Sequence, residues 1–592
     1  MRANFVIKLS LLFVLITLAA CGSAVETTPQ DNDVAVATSL PTSAALTEEN
    51  QSTTSTVQPE APGTTEAITE TEASSAAEPV AGTADPNTAA LVADSGFRPN
   101  PNGFSFENYG EDTKTTDLTA AEVYRMFGDV ACTSVVNGVC TLTPPGQQWM
   151  EQINSDMAGG HCEGMATLSL LMFTDTVKES SFGGQNAADL KLDNPALQRE
   201  IAYWWTTQAT SPTVDRVIKG TPNEILDILR NKTDKETYTI GIYKSDGTGG
   251  HAITPFGVEE AGNGVYAILV YDNNYPGQTR RVLVDTKNNI WSYEAAINPQ
   301  TESELYQGDA ETQTLDLTPS SARLDKQVCP FCDGAEATGS SGSKLAAPSD
   351  TTRYNEMFLD GDGHLLIEDD ADNRMGIVDG RWVNEIPSAQ AVWLKTASPL
   401  EDQPEPIYWL PADLNVTATL DGSTFTGDGL TDLVLIGPGY SFGVEGISLE
   451  PDQVDTVRFE PKDSVLVYDT DKSESPTIIV AIEEDTADFD FEIQGADMQG
   501  GGELAVLLNQ AAGDLVINAD KLLNSGTFNL AMTRYSDESE QTFYTDELAL
   551  QAGAIIYISY ADWTEQSAGL VIEVDNNGDG VMDETYTADN QS

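Results

Sequence analysis

One cysteine of this chain lies where a catalytic thiol is expected. Cys162 follows the glycines of GGHCEGMATLSLLMF, and the apolar residues behind it recur at helical spacing. This pattern predicts a loop before Cys162 and a helix that begins there. The helix dipole and the free backbone N–H groups at that end favour a thiolate and can also hold an oxyanion. The position suits equally a small buried residue at a loop-to-helix turn.

A histidine and a carboxylate follow on predicted strands. The segments YTIGIYK, HAITPFGVEE, GVYAILVYDNN and RRVLVDTKNNIWSY alternate with a period of two, which predicts four strands joined by Gly, Asn and Asp turns. His251 opens the second strand and Asp272 closes the third, so an antiparallel ladder can place them side by side. Asn273 and Asn274 are alternatives to Asp272, and His161 is an alternative to His251.

Further elements must hold these strands and the Cys162 helix in place. PALQREIAYWWTTQ and TPNEILDILRNK have helical patterns, the second with Thr221 as its N-cap. Four of the six cysteines form close pairs, which predicts two local disulfides in an oxidising compartment: Cys132 with Cys140, and Cys329 with Cys332. Cys162 is then left as an unpaired thiol.

The order of helix-borne cysteine, strand-borne histidine and orienting carboxylate resembles the papain-like cysteine peptidase fold over roughly residues 96–320. The resemblance implies that Cys162 is the nucleophile, His251 the general base and Asp272 the group that fixes the imidazole tautomer. It also implies a side-chain oxyanion donor just before the nucleophile. Asp156 occupies the position of papain's glutamine, so the nearby candidates for this donor are Gln147, Gln148, Gln152 and Asn154.

The activity implied by this resemblance is that of a surface-anchored thiol hydrolase, a cysteine peptidase or amidase. It would cleave amide or peptide bonds of a peptide or protein substrate and would need no cofactor for catalysis. Two alternatives use the same domain: a transglutaminase-like acyl transferase, and a non-catalytic surface protein for binding or adhesion.

The N-terminus carries an export signal. Arg2 and Lys8 precede the apolar run LSLLFVLITLAA, which predicts a secretory signal peptide over 1–20. Leu18-Ala19-Ala20-Cys21 resembles the lipobox of bacterial lipoproteins, which implies that Cys21 is lipidated. The acyl chains would then anchor the protein outside the cytoplasm, to the bacterial cell membrane or to the outer membrane. Residues 21–95, rich in Thr, Ala, Glu and Pro, predict a disordered stalk.

The charge of the chain restricts its partners. The 592 residues include 94 acidic and 29 basic side chains, for a formal net charge of −65. Binding to nucleic acid or to anionic lipid headgroups needs patches of Lys and Arg, so both are excluded as electrostatic partners. Divalent cations such as Ca²⁺ are compatible with this surface.

The second half of the chain has short alternating segments with Gly, Asp and Pro turns. A Gly/Ser/Ala-rich linker over 334–352 separates the papain-like domain, 96–333, from two predicted β-sandwich modules, 353–470 and 471–592. The expected fold class is therefore an α+β papain-like domain, helical part first and antiparallel sheet second, followed by all-β sandwich domains.

One acidic loop of the last module, DNNGDGVMDE, resembles the calcium loop of EF-hands and dockerins. The resemblance implies a structural Ca²⁺ site whose ligands are the side chains of Asp575, Asn577, Asp579 and Asp583 and the backbone carbonyl of Val581. A plain Asp/Gly turn is the alternative, because Tyr586 replaces the bidentate glutamate of the EF-hand.

Overall fold

A computed structural model describes most of the chain after residue 89. The described residues are 90–110, 115–231, 235–244, 249–296, 303–333, 353–361, 363–378, 381–396, 405–423, 429–451, 453–536, 539–564 and 566–591. The predicted signal peptide, Cys21, the stalk up to residue 89 and the 334–352 linker lie outside them. Within these ranges, no helix is long and apolar enough to cross a membrane.

The α-helices of the described residues all precede residue 325. They are α1 (Pro99–Asn102), α2 (Ala120–Phe127), α3 (Pro144–Met157), α4 (Cys162–Phe173), α5 (Pro195–Thr206), α6 (Pro222–Arg230) and α7 (Ser320–Leu324). Thr221 caps α6 as predicted: its hydroxyl accepts from the N–H of Glu224, whose carboxylate reaches back to the N–H of Thr221. In α4 every residue from Cys162 to Met172 is buried, so this helix lies inside the domain.

The strands of the first domain, residues 90–333, form one large antiparallel sheet and one hairpin. They are β1 (Ala90–Asp94), β2 (Cys132–Val136), β3 (Val139–Leu142), β4 (Ile218–Lys219), β5 (Tyr238–Ile242), β6 (His251–Gly262), β7 (Val265–Tyr271), β8 (Thr279–Asp285), β9 (Ile290–Ala295), β10 (Glu304–Gly308) and β11 (Leu315–Pro319). The sheet order is β10-β9-β8-β7-β6-β5-β11-β4, with β1 beside β6, and β2 pairs with β3.

Two details of this sheet differ from the sequence expectations. The fourth predicted strand is two strands, β8 and β9, because the chain turns at Asn289, which adopts a positive φ of 54°. Asn tolerates this conformation better than most residues. The second difference is β1, which lies within the stretch predicted as stalk. Its short apolar sequence ALVAD can pair with β6.

The second half of the described chain forms two further antiparallel sheets, called here the paired sheets. Their strands are β12 (Tyr354–Gly361), β13 (His364–Asp369), β14 (Arg374–Val378), β15 (Arg381–Asn384), β16 (Gln390–Val392), β17 (Ile407–Pro411), β18 (Val416–Asp421), β19 (Gly429–Gly437), β20 (Tyr440–Leu449), β21 (Val454–Glu460), β22 (Val465–Thr470), β23 (Thr477–Ile482), β24 (Asp488–Gln494), β25 (Gly502–Asn509), β26 (Asp514–Asn518), β27 (Gly526–Tyr535), β28 (Glu540–Leu550), β29 (Ile555–Ser559), β30 (Leu570–Asp575) and β31 (Glu584–Ala588). The chain is thus mostly β, with several antiparallel sheets.

The paired sheets enclose one hydrophobic core. One sheet has the order β16-β17-β12-β19-β20-β23-β24-β27-β28, and the other has β15-β14-β13-β18-β21-β22-β25-β26-β29-β30-β31. Aromatic rings meet across the core, as where Phe489 lies edge-on to Tyr560 with centroids 4.8 Å apart. The predicted module boundary at residue 470 falls between β22 and β23, and strands on both sides of it continue the same two sheets and core.

The first domain and the paired sheets share a second core. Trp149 of α3 is fully buried among residues of both parts, including Phe331 and Trp409. Its indole N–H donates to Glu356 Oε2 of β12 at 2.8 Å. Both predicted disulfides, Cys132–Cys140 and Cys329–Cys332, are formed, and both pack in this core. The two parts are therefore packed together rather than separated, which matters for the site below.

Candidate active site

Cys162 is the first residue of α4, and its side chain is fully buried. Gly160, two residues earlier, has a φ of +147°, a conformation that L side chains rarely adopt. The sulphur lies in a small buried cluster with Ala166 of the same helix and Ala252 of β6. Small side chains at these positions let the start of α4 approach the start of β6, where His251 is located. Cys162 is the free cysteine of the described residues.

The structure brings His251 and Asp272 together. His251 Nε2 lies 2.9 Å from Asp272 Oδ1, and both side chains are fully buried. The neighbouring ladder explains this contact: Thr254 of β6 pairs with Tyr271 of β7, so the beginning of one strand lies beside the end of the other. Asp272 also accepts from the Tyr293 hydroxyl at 2.6 Å and from the N–H of Asn274 at 2.9 Å. The carboxylate is therefore held on both oxygens.

The charges of this group stabilise the imidazolium form of His251 once the ring gains a second proton. Burial lowers the pKa of His251, but the charge of Asp272 and then that of Cys162 raise it, to a net value of about 10. Burial raises the pKa of Asp272, yet the charge and hydrogen bond of His251 and the hydrogen bond of Tyr293 leave it lowered. His251 Nδ1 is buried without a partner at standard hydrogen-bond geometry, and the imidazole interacts with the Cys162 side chain. One ring nitrogen is thus bound to the carboxylate and the other is available to exchange a proton.

The two asparagines that were alternatives to Asp272 have other contacts. Asn273 Nδ2 donates to the carbonyls of Cys162 at 3.0 Å and Ala252 at 3.1 Å, which ties the start of α4 to the start of β6. Asn274 Nδ2 donates to the carbonyl of Ala296 at 2.9 Å. Asp272 is therefore the residue of this group that contacts the imidazole.

His161, the alternative base, is engaged away from the thiol. Its ring stacks on Tyr109 with centroids 4.1 Å apart. Nδ1 lies 2.9 Å from the carbonyl of Tyr109, and Nε2 lies 2.9 Å from Asp117 Oδ1. Both ring nitrogens are thus occupied, which leaves neither to accept a proton from Cys162.

The candidate oxyanion donors on α3 are bound elsewhere. Gln147 donates to Glu151, and Asn154 holds both the N–H and the carbonyl of Leu118. Gln148 interacts with Glu445 of the paired sheets. Gln152 is buried on the same helix. No contact of these residues with Cys162 is found in the part of the chain that the structure describes.

Asn108 is a further candidate donor that sequence reasoning missed. Its Oδ1 accepts from the N–H of His161 at 2.9 Å, and its own N–H donates to the carbonyl of Asn273 at 3.0 Å. Its Nδ2 lies against Gly160, 3.0 Å from where a Cβ of that residue would be. The amide therefore adjoins the residues just before Cys162. The sequence FENYG around Asn108 contains no signal that could have identified it.

A buried ion pair fixes the first turn of α4. Glu163 Oε1 accepts from Arg323 of α7 and, at 3.2 Å, from the hydroxyl of Thr239 on β5. Both charged side chains are fully buried. This contact links the helix that carries Cys162 to the sheet that carries His251.

The thiol itself contacts the second half of the chain. Cys162 Sγ donates a hydrogen bond of 3.2 Å to the backbone carbonyl of Lys395, a residue that follows β16 of the paired sheets. The space between the start of α4 and the start of β6, called here the cleft, is therefore covered by this segment, and the side chains of Cys162, His251 and Asp272 are shielded from solvent.

The residues of the predicted calcium loop accept hydrogen bonds from the loop itself. Asp575 accepts from the N–H groups of Gly578 at 2.8 Å and Gly580 at 2.7 Å. Asn577, Asp579 and Asp583 accept from other N–H groups of the loop, and the Val581 side chain is exposed. Among the described residues, no three His, Cys, Asp or Glu side chains are grouped so as to hold a metal ion. The Ca²⁺ site stays a prediction from the sequence.

Comparison of the chain with protein-family models, with curated proteins and with solved structures finds no match.

Proposed function

We propose that the chain is a thiol hydrolase of the papain-like type that acts on amide or peptide bonds. The observation that carries the proposal is the buried His251–Asp272 pair at the start of β6, next to a free cysteine at a helix N-terminus. Burying an imidazole and a carboxylate together is costly unless they are paired. A domain that needed Cys162 only for packing would have no use for this pair.

The chemistry follows from the positions of these groups. The thiol of Cys162 transfers its proton to His251 Nδ1, and the thiolate attacks a substrate carbonyl carbon. The N–H of Cys162, at the start of α4, and the Asn108 amide, beside Gly160, are the candidate donors to the oxyanion that forms. His251 then gives its proton to the leaving amine, which leaves a thioester on Cys162. A water molecule, deprotonated by His251, hydrolyses the thioester and restores the thiol.

Asp272 is a positioning residue in this scheme. It keeps the proton of His251 on Nε2 when the ring is neutral and stabilises the imidazolium when it is charged. The lipobox around Cys21 and the export signal support a place for the enzyme outside the cytoplasm, anchored through its N-terminus.

The test is hydrolysis of a peptide mixture by the Cys21→Ser chain that also carries Lys395→Ala, analysed by mass spectrometry, because the buried Lys395–Asp316 pair holds the backbone segment that covers the thiol. Cys162→Ala and His251→Ala should each abolish cleavage, while His161→Ala should reduce it only mildly. Adding a primary amine separates hydrolysis from acyl transfer, because a transferase would return amine-linked products instead of free acids. An unreactive thiol and no cleavage by any variant would support the non-catalytic alternative.

A further inference from the structure

A short segment of the paired sheets runs through the cleft at Cys162. We call Trp393–Thr396, which directly follows β16, the strap. The Lys395 carbonyl accepts from the Cys162 thiol at 3.2 Å. The carbonyl of Thr396 lies against Gly160, and a Cβ at Gly250 would lie 2.7 Å from the carbonyl of Leu394. The backbone of the strap therefore contacts the residues beside both the thiol and the imidazole.

The glycines at these contacts make room for a peptide backbone. Gly160 precedes Cys162 by two residues, and Gly250 directly precedes His251. A side chain at either position would collide with the strap. The cleft thus has the width of an extended peptide at the point where a substrate carbonyl must meet the thiol.

The side chain of Lys395 enters a pocket that ends in a carboxylate. Its Nζ lies 3.5 Å from Asp316 Oδ1, and both side chains are almost completely buried. Asp316 is held in place by the N–H of Gly241 at 3.1 Å and by the hydroxyl of Tyr243 at 3.0 Å. Both of these donors belong to the first domain. The carboxylate therefore keeps its position whether or not the strap is present.

A buried carboxylate of this kind selects its occupant by charge. An uncompensated ion inside a protein is strongly unfavourable, so a neutral side chain in this pocket would leave Asp316 unpaired. The length of lysine suits the pocket, because its Cε packs over Gly241, where any side chain would collide with it. Selection by an unpaired buried group is more stringent than selection by apolar size.

The first domain also binds the backbone of the strap. Gln208 Oε1 accepts from the N–H of Lys395 at 2.8 Å, while Gln208 Nε2 is buried without a hydrogen-bond partner. A cavity of about 290 Å³ adjoins this point and is lined by Gln208, Asp316 and the strap residue Trp393. The cavity lies beside the residues that precede Lys395. A longer peptide would have room there and could accept a hydrogen bond from Gln208 Nε2.

We propose that the strap is an intramolecular pseudosubstrate, and that the active site accepts peptides whose lysine enters the Asp316 pocket and presents its carbonyl to Cys162. This inference rests on the proposed function and names its substrate class and its regulation. Cleavage would fall on the C-terminal side of that lysine. A tethered strap has a high effective concentration, so it excludes substrates until it is displaced.

The strap inhibits the site in its present position because its Lys395 carbonyl accepts the hydrogen bond of the thiol. The thiol proton that His251 must receive is donated to the Lys395 carbonyl oxygen in a hydrogen bond instead. The strap is itself anchored in the paired sheets, where the ring of Trp393 lies 5.2 Å from that of Trp382. Displacement of the strap is therefore the step that opens the site.

The experiment compares Lys395→Ala with Lys462→Ala in the Cys21→Ser chain. Lys462 is a matched control because it belongs to the same sheets but is 60% exposed. Alkylation of Cys162 by iodoacetamide is followed by mass spectrometry, and hydrolysis is followed with the coumarylamides of acetyl-Trp-Leu-Lys and acetyl-Trp-Leu-Gln. We expect Lys395→Ala to raise the alkylation rate roughly a hundredfold, because a buried pair is broken, and to release activity on the Lys substrate.

Asp316→Asn tests the pocket from its other side. With Lys395 unchanged, Asp316→Asn should also raise the alkylation rate of Cys162. This keeps the test valid if Lys395→Ala fails to fold. Combined with Lys395→Ala, it should abolish the preference for the Lys substrate and leave alkylation fast. Equal alkylation rates of Lys395→Ala and Lys462→Ala would refute the proposal that the strap inhibits the site. Equal cleavage of the two coumarylamides would overturn the lysine pocket, whereas fast alkylation with no cleavage of any peptide would refute the proposed function instead.

Discussion

The buried carboxylate of Asp272 is expected to control the ionisation of His251 and Cys162. Asp272→Asn removes its charge and keeps its shape. Two unit charges about 4 Å apart attract by about 4 kcal/mol at the effective dielectric constant of about 20 that describes protein sites. The loss of this attraction lowers the ratio of charged to neutral imidazole by about 10³. Burial, which already lowers the pKa of His251, then dominates.

The assay is the rate of Cys162 alkylation by iodoacetamide between pH 5 and 10 in the Cys21→Ser chain that also carries Lys395→Ala, so that the strap does not limit the rate. Without the imidazolium the reacting sulphur loses the positive charge that assists its attack, so the rate at pH 7 should fall by about 10³ in Asp272→Asn. Tyr293→Phe leaves the charge of the carboxylate but removes one hydrogen bond to it, which costs about 1.5–3 kcal/mol. The alkylation rate of this variant should therefore lie between that of the parent chain and that of Asp272→Asn. Asp175→Asn is the control, because Asp175 is 83% exposed.

Stability should change with pH in the same direction. The pKa of His251 is raised from 6.5 to about 10 in the folded state. Its contribution to the free energy of unfolding is therefore complete below about pH 6.5 and is lost as the pH rises toward 10. Asp272→Asn should weaken this pH dependence. If Asp272→Asn matches Asp175→Asn in alkylation rate and in pH profile, the argument that Asp272 sets the charge of the pair is refuted.

Three further predictions concern other buried groups and the acidic loop. Burial raises the pKa of Glu356 to about 8. The contribution of its protonated form to the free energy of unfolding is therefore present below about pH 4.5 and lost as the pH rises to 8. Glu356→Gln should raise the melting temperature at pH 8 and not at pH 4, and an equal rise at both pH values would contradict this assignment. Arg323→Met should lower the free energy of unfolding, measured by chemical denaturation, by about 3–5 kcal/mol because it leaves the Glu163 charge buried and unpaired. Adding Glu163→Gln should recover part of this loss. No recovery would mean that the variant loses packing and not a charge interaction. Ca²⁺ should raise the melting temperature of the full chain and Asp579→Ala should remove the increment; an equal increment in the variant would indicate general screening of the acidic surface.

Short-range features of the fold could be predicted from the sequence because local physics specifies them. The start of α4 at Cys162 and the Thr221 cap of α6 follow from residues within one helical turn. The disulfides join cysteines separated by 8 and 3 residues, so short loops bring them together. The contact of His251 with Asp272 depends only on the pairing of consecutive antiparallel strands. The papain-like assignment stays a prediction.

Only the tertiary structure decided which distant segments complete the site. Asn108 lies 53 residues from His161, and Lys395 lies 233 residues from the thiol that it contacts. Neither belongs to a periodic pattern, because hydrophobic periodicity tells which face of an element is buried but not which surface covers it. The strap reaches the cleft because the first domain and the paired sheets bury Trp149 and its neighbours in a common core. That long-range packing brings the Lys395 side chain to Asp316, and no local feature of either residue foretells the contact.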